Sequence, residues 1–160
     1  LYAGLMLTRN GVQLIEYNAR FGDPECQVLM LRLEDDLVDL LMACAESKLA
    51  SIAPPRLSPE TALTVVMAAQ GYPGTPQKGG AIAGVEAAEA SGAKVFHAGT
   101  ATAGGQLVAA GGRVLNVTAR GATVREAQQR AYAAVDLIDA PDLFCRRDIG
   151  WREVAREGEA

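Results

Sequence analysis

EYNARFGDPE, residues 16–25, places Glu16, Asn18, Arg20, Asp23 and Glu25 at what reads as the junction of a strand and a helix. Alternation along a strand puts Glu16, Asn18 and Arg20 on one face, at a spacing of roughly 6.5–7 Å between side chains two apart. Glu16 and Asn18 can then converge on one cation while Arg20 reaches further along. A carboxylate and an amide oxygen that leave room for water and phosphate suit Mg²⁺, with Mn²⁺ as the alternative. Arg20 can steady a transferring phosphoryl group through paired N–H donors, stabilising charge rather than forming a bond. The same three residues also fit the wet face of an ordinary antiparallel strand. Spacing alone leaves both readings open.

The flanks sharpen the picture. Upstream, Leu5 and Leu7, then Asn10-Gly11, then Val12, Leu14 and Glu16 predict a hairpin closed at Asn-Gly, the dipeptide that most readily supplies positive φ. Downstream, Phe21 and Gly22 break the strand. Asp23 is expected to cap the next helix, Pro24 to take its first position, and Glu25 to sit where a helix N-terminus favours negative charge.

The run EYNARFGDPECQ, the preceding LYAGLMLT, and the later YPG, VFHAGT, GGRVLNVTARG, EAQQRAY and CRRDIGWR resemble, in order, the C-terminal part of the phosphoribosylamine-glycine ligase family of the ATP-grasp superfamily. The E-x-N-x-R core is shared by many ATP-grasp enzymes; its continuation into RFGDPE, with HAGT, GGRVL and DIGWR, is specific to this family. The resemblance implies that Glu16 and Asn18 hold Mg²⁺ or Mn²⁺, that Arg20 contacts the transferring phosphate of ATP, and that Asp23 and Glu25 help position glycine or 5-phosphoribosylamine. It also implies an N-terminal portion, carrying the substrate-binding domain, the ATP-grasp lysines and the adenine pocket, that has no counterpart here. A sister ATP-grasp enzyme would share Glu16, Asn18 and Arg20 but not FGDPE and DIGWR. A non-catalytic folded fragment is the other alternative.

At 160 residues the chain suits about one domain, or a small domain with a piece of another. Leu1 opens into strand-like sequence with neither a methionine nor a leader, which reads as a fragment or one chain of a split enzyme, inactive alone. Its 49% hydrophobic and 21% charged residues are ordinary for a globular protein. No stretch approaches the ~20 apolar residues of a membrane span. A net charge of −4 with 15 basic residues spread thinly argues against a nucleic-acid surface. Cys26, Cys44 and Cys145 are scattered, odd in number and without C-x-x-C spacing, which fits a reduced, cytoplasmic compartment. Cys26 reads as a packing residue, and the single histidine, His97, excludes a multi-histidine metal site.

Leu37, Leu40, Leu41 and Cys44 recur at helical spacing and are expected in a core, with Glu34, Asp35 and Asp36 complementing the helix dipole. Pro54, Pro55 and Pro59 mark residues 50–60 as a linker. Residues 62–69 and 93–98 read as strands, and 106–109 with 113–119 as a hairpin across Gly111 and Gly112. Thr123 to Glu126 reads as a capping box opening a helix whose Val124, Ala127, Ala131, Ala134 and Ile138 share a face. The whole is an α+β chain: 1–49 the end of an ATP-grasp domain, 50–60 a linker, 61–160 a small C-terminal domain of mixed strands and helices.

Candidates for chemistry in the second part are fewer. Lys78 lies in a glycine-rich segment lacking the GK[ST] ending of a phosphate loop, so it reads either as a turn residue or as an anion contact. His97 follows an apolar strand, where an imidazole makes a structural hydrogen bond or touches substrate. Arg113, after Gly111 and Gly112, resembles the position where related purine-synthesis ligases hold a ribose 5-phosphate. Arg146, Arg147 and Arg152 near Trp151 read as a solvated or interdomain patch.

Overall fold

Thr8 and Gly11 close the first hairpin. In the computed structural model, which describes residues 1–158, β1 (Tyr2–Thr8) and β2 (Gly11–Asn18) pair antiparallel. The positive φ falls on Gly11, at 94°, and not on Asn10. Thr8 Oγ1 secures the turn, donating to the Gly11 carbonyl at 2.9 Å and accepting from Asn10 N–H at 3.1 Å. Helix α1 (Glu25–Arg32) follows, then α2 (Leu37–Ala45), whose first turn is capped by Asp36 accepting from Val38 N–H at 2.8 Å.

Two expectations fail in this half. Asp23 does not cap α1: Pro24 takes the N-cap position and no side chain caps the helix. The Asp23 carboxylate is drawn to an arginine far along the chain. Nor does the apolar stripe of α2 pack in a core, for Leu41 and Cys44 are exposed and Ala43 alone in that helix is buried. The helical spacing is as expected, but Leu37, Leu40, Leu41 and Cys44 line an open apolar groove with Phe21, Leu29 and Leu33. Residues 50–60 carry little regular structure but are anchored: Leu57 bridges Leu33, Arg32 Nε and NH2 donate to the Ser58 carbonyl at 3.1 and 2.8 Å, and Arg56 pairs with Asp35 at 2.8 Å.

The remaining elements are β3 (Thr61–Ala69), β4 (Ala81–Ile82), α3 (Val85–Ala90), β5 (Lys94–His97), β6 (Thr100–Ala103), β7 (Gln106–Ala109), β8 (Arg113–Gly121), α4 (Val124–Val135), β9 (Leu143–Phe144) and α5 (Trp151–Glu157). One antiparallel sheet runs β5-β8-β3-β9, a second β4-β7-β6. Leu63, Val65, Met67 and Ala69 of β3 share a core with Leu115, Val117 and Ala119 of β8 and with Ala127, Ala131 and Ala134 of α4. Side chains such as Leu115 and Val117, at 0% exposure, contribute about 1.5–3 kcal/mol each from burial. The small alanines let α4 sit close to the sheet. The opposite face of β3 carries Thr64, Val66 and Ala68, and Pro24 at the head of α1 lines a cavity of about 350 Å³ with them.

The expected hairpin across Gly111 and Gly112 does not form. β7 pairs with β6, and β8 pairs with β3 and β5. The turn is at Gly104 and Gly105, both at positive φ (57° and 81°), as a two-residue hairpin turn requires. Gly111 and Gly112 serve close passage between the sheets: a Cβ on Gly111 would lie 3.0 Å from Gly99 Cα, and one on Gly112 2.6 Å from the Tyr72 ring. The Thr123 half of the capping box forms, its Oγ1 accepting from Glu126 N–H at 3.1 Å, whereas Glu126 reaches one residue further back and accepts from Ala122 N–H at 2.7 Å. Ile138 lies beyond the helix end yet is buried. Among the described residues, no helix is long and apolar enough to cross a membrane.

Candidate active site

Strand β2 ends at Asn18, so Glu16 and Asn18 share its face while Arg20 lies in the bend beyond. Asn18 Nδ2 donates to Glu16 Oε1 at 2.9 Å, which leaves Glu16 Oε2 and Asn18 Oδ1 as oxygens available to a cation. Arg20 does not continue the row: its guanidinium donates to the neighbouring Phe21 carbonyl at 2.8 Å. Across the ladder, Gly4 faces Glu16, and a Cβ there would lie 3.2 Å from Glu16 Cγ. That room beside the carboxylate is invisible without the strand register.

Hard oxygen donors at a solvated strand end suit a divalent cation that keeps most of its ligands as water and phosphate. Among the described residues no three His, Cys, Asp or Glu side chains gather as a ligand set. The residues present therefore fit a metal shared with a nucleotide better than a closed protein cage.

The loop after Arg20 is tied down on two sides. Tyr2 Oη donates to Glu25 Oε1 at 2.9 Å, joining β1 to the head of α1. This bond, then the Glu25 charge, holds the Tyr2 phenol above the usual tyrosine range. From the other side Arg113 NH1 donates to the Asp23 carbonyl at 3.1 Å, and NH2 pairs with Asp23 Oδ2 at 3.1 Å. Two candidates 90 residues apart in sequence thus meet.

Lys78 and His97 are brought to the same end of the sheet by backbone contacts. Gly79 N–H donates to the Ala109 carbonyl and Ala110 N–H to that of Gly99, so the loops holding Lys78, His97 and Arg113 converge. Lys78 is exposed. The His97 imidazole Nδ1 lies 3.1 Å from Thr100 Oγ1 at the strand end. The arginines near Trp151 are each engaged by neighbours: Arg146 pairs with Asp148, Arg147 pairs with Asp136 and stacks over Tyr132, and Arg152 stacks over Trp151. Burial pushes the Tyr132 phenol and the Cys145 thiol above their usual ranges.

Residues 62–152 match the phosphoribosylglycinamide synthetase C domain. The chain belongs to the phosphoribosylglycinamide synthetase family. Residues 1–26, with the hairpin and Glu16 to Glu25, match the ATP-grasp (A) domain of the same synthetase. Among relatives, the phosphoribosylamine-glycine ligase of Mesorhizobium japonicum is 68% identical over 98% of this chain and 37% of its own length. That of Rhizobium meliloti is 60% identical over 98% of this chain and 36% of its own. The crystal structure of phosphoribosylamine-glycine ligase from Thermotoga maritima superposes with a TM-score of 0.77 at 34% identity, over 91% of this chain and 35% of that one. The chain thus spans little more than a third of the synthetases it matches.

Proposed function

We propose that this chain is the C-terminal part of an enzyme that joins glycine to 5-phosphoribosylamine with ATP, giving glycinamide ribonucleotide, ADP and phosphate in purine synthesis. The observation that carries the reading is the Glu16–Asn18 pair, 2.9 Å apart with Arg20 two residues on, in a chain of this family. A glycine carboxylate oxygen attacks the γ-phosphorus of ATP, the bond to the β-phosphate oxygen breaks, and ADP leaves glycyl phosphate behind. The amine of phosphoribosylamine then attacks the acyl carbon, expels phosphate and loses a proton.

Glu16 and Asn18 hold Mg²⁺ or Mn²⁺, which when bound neutralises charge on the nucleotide phosphates. Arg20, released from the Phe21 carbonyl, stabilises the migrating phosphoryl group by charge and paired donors. Asp23 and Glu25 shape the floor on which glycine or the amine is positioned, and Lys78 and His97 lie on the rim facing the phosphoribosyl group. Arg113 belongs to the same rim, with both its terminal nitrogens on Asp23.

The chain divides into 1–49, completing the ATP-grasp domain, a junction at 50–60, and a C-terminal domain over 61–160. The adenine pocket and most phosphate contacts come from the N-terminal part of the same enzyme, in a cytoplasmic setting. The test is ADP release by the complete protein: it should require glycine, and sustained turnover should require phosphoribosylamine as well, so that glycine-independent release would contradict the reading.

A further inference from the structure

Helix α1 carries the Glu16 to Glu25 junction at its head, yet has no fully buried residue, whereas α4 buries Ala127, Ala131, Ala134 and Val135. Where apolar packing is thin, placement falls to polar ties. The C-terminal end of α1 is held by Arg32 on the Ser58 carbonyl, its head by Arg113 on Asp23. The support behind Arg113 is stiff. It opens β8, the strand between β5 and β3, and residues 114–119 after it are all buried. Before it, Gly112 packs on the Tyr72 ring, and a Cβ on Gly99 would lie 2.6 Å from the Arg113 carbonyl oxygen.

We infer that Arg113 is a positioning residue: it grips Asp23 by backbone and carboxylate together and so fixes the loop bearing Arg20 against the C-terminal sheet. This rests on the ligase reading above and differs from a direct contact to the ribose phosphate. A planar guanidinium with two donors on one residue restrains both position and direction. A loop displaced by about 1 Å can lose up to roughly a hundredfold in rate when it carries a reacting contact.

The experiment compares Arg113→Ala, Arg113→Lys, Asp23→Asn and the Arg113→Ala/Asp23→Asn double variant in the complete enzyme. It measures kcat, the KM for each substrate, and hydrogen exchange of the peptide covering residues 19–25. The inference expects Arg113→Ala and Asp23→Asn each to lower kcat about tenfold or more, the KM for phosphoribosylamine to move less than about threefold, and the double variant to be no worse than the poorer single one. Exchange over residues 19–25 should speed up in both single variants, and Arg113→Lys should restore part of the loss. A raised KM for phosphoribosylamine with kcat kept, additive losses, or unchanged exchange would each overturn it. Should the unaltered complete enzyme lack the ligase activity, the functional reading fails, while the exchange measurement still decides whether Arg113 holds the loop.

Discussion

Gly4 lies directly across the β1–β2 ladder from Glu16, and a Cβ in its place would come within 3.2 Å of Glu16 Cγ. Replacing Gly4 by alanine obliges the glutamate stem to give by a few tenths of an ångström; valine, branched at Cβ, crowds it further. In the complete enzyme Gly4→Val should therefore lower turnover by about tenfold, and Gly4→Ala by less, with the KM for Mg²⁺ rising in the same order. Equal turnover in all three proteins would show that the Glu16 carboxylate needs no such room.

The bond from Tyr2 to Glu25 makes a pH-dependent prediction. Because the folded state raises the Tyr2 pKa, first through the Glu25 hydrogen bond and then through its charge, the contribution of this contact is complete below the unfolded tyrosine value. It is lost as pH rises through the folded one. Phenolate absorbance, with Tyr2→Phe subtracted to isolate this residue, should show Tyr2 titrating at lower pH in Glu25→Ala than in the unaltered chain. Coincident curves would mean the two side chains do not pair in solution.

Helix α4 is capped twice. Besides Thr123, the Glu157 carboxylate of α5 accepts from Val124 N–H at 2.6 Å and Arg125 N–H at 3.0 Å, placing negative charge at the positive end of the helix dipole. Glu157→Ala should lower stability by about 1 kcal/mol, read as a lower urea midpoint. Glu157→Gln should keep part of the effect through its remaining acceptor. An unmoved midpoint in Glu157→Ala would place Glu157 outside the cap.

What the sequence disclosed is local chemistry. Asn10-Gly11 announces the first turn and Thr123 with Glu126 announces the head of α4, because each device lies within a few residues. The α+β class follows from the same signals. Contacts set by folding did not show: Asp23 reads as a cap from its neighbours, yet an arginine 90 residues on outcompetes the helix for its carboxylate. Glu157 likewise caps a helix 33 residues upstream. The strand Thr100–Ala103 was missed because its TATA lacks large branched or aromatic residues, which moved the expected turn from Gly104-Gly105 to Gly111-Gly112. The stripe on α2 has the right period but, among the described residues, lines an open groove, since periodicity reports which face is apolar and not what meets it. Of the candidate site, the shared strand face of Glu16 and Asn18 was legible from alternation, but the strand stops before Arg20.

The isolated 160-residue chain should neither hydrolyse ATP nor form product, since Glu16, Asn18 and Arg20 supply only part of the surroundings that phosphoryl transfer needs. Adding the N-terminal part as a separate chain should restore glycine-dependent ADP release if the two associate. Release by the isolated chain alone would contradict this division of labour.

Turnover of the complete enzyme carrying Glu16→Gln or Arg20→Ala tests the assignment of phosphoryl transfer to the strand end most directly. Loss of the metal-ligand charge, or of the donor to the migrating phosphate, should lower kcat by about two or more orders of magnitude, with the thermal midpoint nearly unchanged because both side chains are exposed. Near-normal turnover in both variants would contradict the account and leave Glu16, Asn18 and Arg20 as an ordinary wet strand face.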